Sequence, residues 1–113
     1  MLLNLSNHPS TSWSESQLTA CGGKVIDLAF PQVNPDGDEA YIESLANEYL
    51  DKILKMDNIK AVHIMGEMNF TYSLVSKLKA HNIRCLASTT KRETVEENGV
   101  KISKFNFVRF REY

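Results

Sequence analysis

The chain reads as an α/β domain of Rossmann-like type, with four mainly parallel strands alternating with three helices and a C-terminal antiparallel hairpin or edge strand. Three observations predict this class. Short β-rich apolar runs alternate with segments of helical periodicity over residues 1–87, and each run ends in a polar or glycine-containing cluster. The alternation then stops at Asn98-Gly99, flanked by β-forming segments, which is the strongest short hairpin signal a sequence offers.

Leu2–Leu5 is an apolar run stopped by Ser6-Asn7-His8-Pro9, too short for a helix and suited to a buried strand. Ser12-Trp13-Ser14-Glu15 has the spacing of a capping box and Gly22-Gly23 supplies a stop, which predicts a short first helix. Val25–Phe30 is β-rich up to Pro31 and predicts the second strand, followed by Asn34-Pro35-Asp36-Gly37 turn chemistry. From Asp38 onward, Ile42, Leu45, Ala46, Tyr49, Leu50, Ile53 and Leu54 follow the i, i+3, i+4, i+7 rule. Asp38 and Glu39 in its first turn, with Lys52 and Lys55 in its last, suit the helix dipole.

Ile59–Met65 predicts a third strand ended by Gly66, and Phe70, Leu74, Val75 and Leu78 predict a third helix stopped near Asn82. Ile83–Ala87 predicts a fourth strand that ends in Ser88-Thr89-Thr90. A two-residue turn at Asn98-Gly99 sets Glu96 opposite Lys101 and Val95 opposite Ile102, both favourable cross-strand pairs. The tail from Phe105 to Tyr113 is β-rich, and its alternation slips near Phe107-Val108, as a bulge produces.

The 113 residues carry 13 Lys+Arg against 14 Asp+Glu and are 42% apolar, the profile of one soluble domain spanning residues 1–113. A formal net charge of -1 disfavours the coating of long nucleic acid. Charge is nevertheless uneven: residues 84–113 carry seven Lys+Arg against four Asp+Glu, so an anionic partner is expected near the C-terminal portion, unless Arg109 and Arg111 simply pair with acids of the helices. The first residues lack a positive n-region and meet Asn, His and Pro by position 9, which predicts neither a signal peptide nor a membrane span. Cys21 and Cys85 lie in separate elements without a C-x-x-C pair, so no disulfide framework is expected and a cytoplasmic setting is.

In an open α/β sheet, ligands bind outside the carboxyl ends of the strands, where loops and helix N-termini converge. The strand ends here carry Ser6-Asn7-His8, Pro31-Gln32, Gly66-Glu67 and Ser88-Thr89-Thr90-Lys91-Arg92, a set rich in hydroxyls with one imidazole, one carboxylate and two cations. Gly66 lets a ligand phosphate approach the first turn of the next helix, or is a plain turn residue. Ser88–Arg92 offers hydroxyl and backbone donors beside two cations, a composition suited to phosphate or ribose. His8 is the one histidine at a predicted ligand-facing strand end, where it can exchange protons or cap a helix. Glu67 either orients a ribose hydroxyl, acts as a base, or favours the helix dipole.

His63 within a strand and His81 at a helix end read as packing or capping residues, and Asp27 ranks below Glu67 because a carboxylate within a strand needs a partner. No Walker or dinucleotide fingerprint is present. Three dispersed His and two dispersed Cys form no convergent ligand set, so neither a metal nor another cofactor is expected.

The opening strand running into Asn4-Leu5-Ser6-Asn7-His8-Pro9, the Gly66-Glu67 turn and the Ser88-Thr89-Thr90 strand end resemble the small Rossmann-like accessory proteins of type III CRISPR systems. The nearest in style are single-domain ring nucleases and cyclic-oligoadenylate binders related to the CARF domain. The resemblance implies a homodimer that binds its cyclic ligand across the two-fold axis and cleaves it without a metal, a 2′-hydroxyl attacking the adjacent phosphate in line. Lys91 and Arg92 would then stabilise phosphate charge, and His8 or Glu67 would move protons. Ser6, Asn7, Gly66, Ser88, Thr89 and Thr90 would hold ribose or phosphate oxygens. Two other classes remain open from sequence: a noncatalytic module that captures the nucleotide, and a protein-interaction module that pairs through the basic, aromatic C-terminal strand.

Overall fold

A computed structural model describes all residues, Met1–Tyr113. Its strands are β1 (Leu2–Ser6), β2 (Val25–Asp27), β3 (Ala61–Met65), β4 (Arg84–Glu97) and β5 (Val100–Glu112). The helices are α1 (Glu15–Ala20), α2 (Glu39–Leu54) and α3 (Met68–Ala80), with a 3-10 turn at Ser10–Ser12. One sheet holds all five strands in the order β2-β1-β3-β4-β5, parallel except for the antiparallel β4–β5 hairpin. The Rossmann-like class follows directly from this order. Because β2 lies on one side of β1 and β3 on the other, the chain reverses its direction of winding there, and a crevice opens at the carboxyl ends of β1 and β3.

The pleat sends alternate residues of β1 and β3 to opposite faces. Leu3, Leu5, Val62 and Ile64 pack under α2 and α3 against Tyr49, Ile53, Phe70, Leu74 and Leu78, forming the larger core. Leu2, Ala61 and Leu86 face the other way, where Trp13, α1 and Phe110 of β5 cover them in a smaller cluster. An ion pair from Lys77 to Glu43 ties α3 to α2.

Local chemistry explains the boundaries. Asp38 caps α2 by accepting from Tyr41 N–H (2.9 Å), and Ser14 caps α1 by accepting from Gln17 N–H (3.2 Å). The expected capping box at Ser12 is therefore displaced by two residues, because Ser10–Ser12 is spent in the 3-10 turn. The second strand is shorter than expected: the ladder ends at the bond from Leu28 N–H to Asn4 O (2.9 Å), and Leu28 and Phe30 pack against the larger core. Asn82 (φ 61°) ends α3 through the left-handed region, and His81 is its C-cap, with Nδ1 2.9 Å from Lys77 O.

The largest departure is β4. It does not stop at Ala87 but runs unbroken through Ser88–Arg92 to the Asn98-Gly99 turn, so that stretch is strand and not loop. Its pairs with β3 reach only from Arg84 to Leu86; beyond them β4 and β5 continue as a two-stranded arm. In the arm Glu96 faces Lys101 and Val95 faces Ile102, as expected, and the register shift between Thr89 and Thr90 leaves Val108 as the extra residue of a bulge. No helix is long and apolar enough to cross a membrane.

Candidate functional site at the carboxyl rim

Parallel register puts Asn4 of β1 between Asp27 of β2 and His63 of β3, all on the face toward α1. Asn4 is 1% exposed and His63 2%, so every polar atom between them needs a partner. The Asn4 amide nitrogen donates to Asp27 Oδ1 (2.9 Å) and to His8 O (3.0 Å). Both of those atoms only accept, which fixes the amide orientation and turns Oδ1 toward Ser6 Oγ (2.8 Å) and His63 Nδ1 (2.9 Å). His63 Nδ1 therefore carries the proton, and Nε2 presents a lone pair to Ser88 Oγ at 2.6 Å. Gln17 donates to the same oxygen (3.1 Å), leaving the Ser88 hydroxyl hydrogen for His63. A directed chain results: Asp27, Asn4, His63, Ser88.

Electrostatics agree with the geometry. Desolvation lowers the His63 pKa from 6.5 to about 4, with the positive charge of His8 acting in the same direction. The imidazole is thus a neutral acceptor at ordinary pH. Edge contacts from Trp13 (5.3 Å between centroids) and Phe110 (5.5 Å) hold its ring. At the far end, desolvation raises Asp27, but hydrogen bonds from the Asn4 side chain and from the side chain and backbone of Ser10 outweigh it. The carboxyl is held below its usual range and stays ionised.

This chain opens into a hollow of about 710 Å³, walled by the β1–α1 loop on one side and by Phe105 and Phe107 of the arm on the other. Within it Ser88 N–H has only the Met65 thioether sulfur as acceptor (3.3 Å), a weak partner that a ligand oxygen can displace. The His8 imidazole lies at the rim and bonds to no group of the protein; its backbone carbonyl instead accepts from Asn4, Ser6 and Trp13 Nε1.

Of the residues expected from sequence, Ser6, Asn7, His8, Gly66, Ser88 and Thr90 line this hollow together. Four others do not. Glu67 is the N-cap of α3, its Oε1 accepting from Phe70 N–H (2.7 Å), so its carboxylate is engaged in the helix end. Thr89 and Lys91 alternate with Ser88 and Thr90 along β4 and face the opposite side, Thr89 Oγ1 donating to Arg109 O (3.2 Å). Arg92 shares the side of Ser88 and Thr90 but stands farther out on the arm, donating to Ser103 Oγ (3.1 Å). The placements of Thr89, Lys91 and Arg92 share one cause, the continuation of β4 where the sequence predicts a loop.

Gly66 also has a packing reason for lacking a side chain: a Cβ there would lie 2.2 Å from the Phe30 ring. Arg109 and Arg111 form no ion pair with acids of the helices.

His63, Asn4, Asp27 and Gln17 are the members of this candidate site that sequence order ranks too low or passes over. The available signal was their spacing: Asn4, Asp27 and His63 are polar residues within apolar β runs, which is costly unless they meet one another. No curated protein and no solved structure matches the chain. A family model, described as the "Uncharacterized protein MJ1673 family", matches residues 1–111, and the chain belongs to that family.

Proposed function

We propose that the carboxyl-rim hollow binds a ribose-phosphate ligand and cleaves its phosphodiester by transesterification, a cyclic oligoadenylate being the substrate class. The observation that carries this reading is the Asp27–Asn4–His63–Ser88 chain, which ends on a hydroxyl facing open space. The substrate 2′-hydroxyl attacks the adjacent phosphorus, passing its proton to Ser88 Oγ while Ser88 passes its own to His63 Nε2. The 5′-oxygen leaves with a proton returned along the same path, so the protein ends as it began. The products are linear and carry a 2′,3′-cyclic phosphate. Ser88 N–H stabilises charge on a non-bridging oxygen, and Asn4, through its hold on Nδ1–H, is a positioning residue.

His8 at the rim is a second proton donor. A second copy of the chain would present a second hollow to the symmetric ring, and sedimentation equilibrium with and without ligand reads that stoichiometry. The test is incubation with cyclic tri-, tetra- and hexa-adenylate in EDTA, with products resolved by chromatography. Linear products should appear, and Ser88→Ala should slow them by ~10²–10⁴-fold. Ligand bound but returned intact identifies a capture module and overturns cleavage; cleavage only after Mg²⁺ is added overturns the metal-independent route. Absence of any thermal shift with these ligands overturns the binding reading itself.

A further inference from the structure

The amino-terminal rim of the sheet carries a second hollow, of about 770 Å³, which meets the His63 chain only through Leu86 and the Phe110 ring. Lys24 precedes β2, Lys60 precedes β3, Arg84 begins β4 and Arg109 lies on β5; all four line it. Only Arg84 has an acid partner, Glu112. The other ion pair of the molecule lies between α2 and α3, so Lys24, Lys60 and Arg109 have no ion-pair partner, and Glu112, the one carboxylate lining the hollow, is held by Arg84. Arg109 spends only Nε, on Phe110 O (3.0 Å), leaving its two terminal nitrogens. Its floor is apolar, built from Leu2, Leu86 and the partly buried Phe110.

Three unneutralised cations over a low-dielectric floor focus positive potential into the cavity. The hollow falls within the size range of small-ligand sites. Anion recognition at the rim and apolar contact at the base together describe one chemical class.

We propose that the amino-rim hollow is a binding site for a nucleoside polyphosphate, with Lys24, Lys60 and Arg109 on the phosphates and the base on the Leu2–Leu86–Phe110 floor. It shares no lining residue with the carboxyl-rim hollow.

Calorimetric titration at low salt with ATP, inorganic tripolyphosphate and adenosine tests it. ATP should bind at least tenfold more tightly than tripolyphosphate, and affinity should fall steeply as salt rises. The double variant Lys24→Glu/Lys60→Glu, both sites being exposed, should melt with the wild type and lose at least tenfold in ATP affinity. Ser88→Ala should leave that affinity unchanged. ATP failing to bind at millimolar concentration, or binding the double variant equally, overturns the site. Equal affinity for tripolyphosphate and ATP overturns the nucleoside assignment, and loss of ATP affinity in Ser88→Ala moves the ligand to the carboxyl rim.

Discussion

Asn4 and Leu5 are neighbours on β1, both buried, and they face opposite sides of the sheet. Leu5 joins Leu3, Val62, Ile64 and Phe70 under two long helices, where only shape and apolar area matter. On the other face, Asn4, Ser6, His63 and Ser88 take the positions that alternate with those residues and are roofed only by a six-residue helix, Trp13 and Phe110. Burial on the first face stabilises the fold. On the second it fixes the tautomer of one histidine, at the cost of desolvating a polar network that is favourable only while complete. The molecule divides its labour by pleat parity.

Leu5→Ala tests the apolar side and is the largest effect expected. It removes a fully buried side chain and should cost about 2–5 kcal/mol in urea denaturation, while leaving the acid sensitivity described next in place. An unchanged midpoint would mean that the larger core does not carry the stability.

Acid sensitivity belongs to the polar side. His63 stays neutral in the fold down to about pH 4, whereas in the unfolded chain it protonates near 6.5. Between those values the unfolded state binds more protons, so the contribution is complete above pH 6.5 and is lost as pH falls toward 4. The loss should approach about 3 kcal/mol. Urea midpoints from pH 7 to 4 should therefore fall more steeply in the wild type than in His63→Gln. Parallel profiles would place the acid response elsewhere.

Asn4→Ala should cost about 1–3 kcal/mol by leaving the His63 Nδ1–H without its acceptor and Asp27 with only the two donors of Ser10. The ¹⁵N shifts of His63 should then report a mixture of tautomers, where the wild type gives Nδ1–H alone. A single tautomer in the variant would show that Asn4 does not set it.

The same division explains what could be read from the sequence. Period and punctuation revealed the apolar face: helix spacing in α2, the Gly66 turn, the Asn98-Gly99 hairpin and even the Phe107-Val108 bulge are local signals. The polar face is built by contacts between residues 23 to 59 positions apart, and no local pattern states that Asn4 will lie beside His63 or His63 beside Ser88. His63 read as packing, and it is packed; its hydrogen bonds, not its burial, make it chemical. Ser88–Arg92 looked like a strand-end loop because hydroxyls and cations favour loops, yet pairing with Phe105–Phe110 overrides that preference and splits the stretch between two sides of β4. Only alternate members reach the hollow.

The arm supplies the smallest effect. Beyond Leu86 it has no third strand, and a two-stranded ribbon alone is marginal in water, so its cross-strand pairs bear a larger share of its order. Glu96→Lys sets like charges opposite one another at Lys101 and should cost about 0.2–1 kcal/mol, and Lys101→Glu in the same chain should restore it. Amide exchange should quicken in residues 91–104 and not in β1 or β3. Because Phe105 and Phe107 wall the carboxyl-rim hollow from this arm, the same variant should weaken ligand binding there modestly, with the His63 tautomer unmoved. A change in that tautomer would mean that the arm and the polar face are one cooperative unit rather than a wall and the site it shelters.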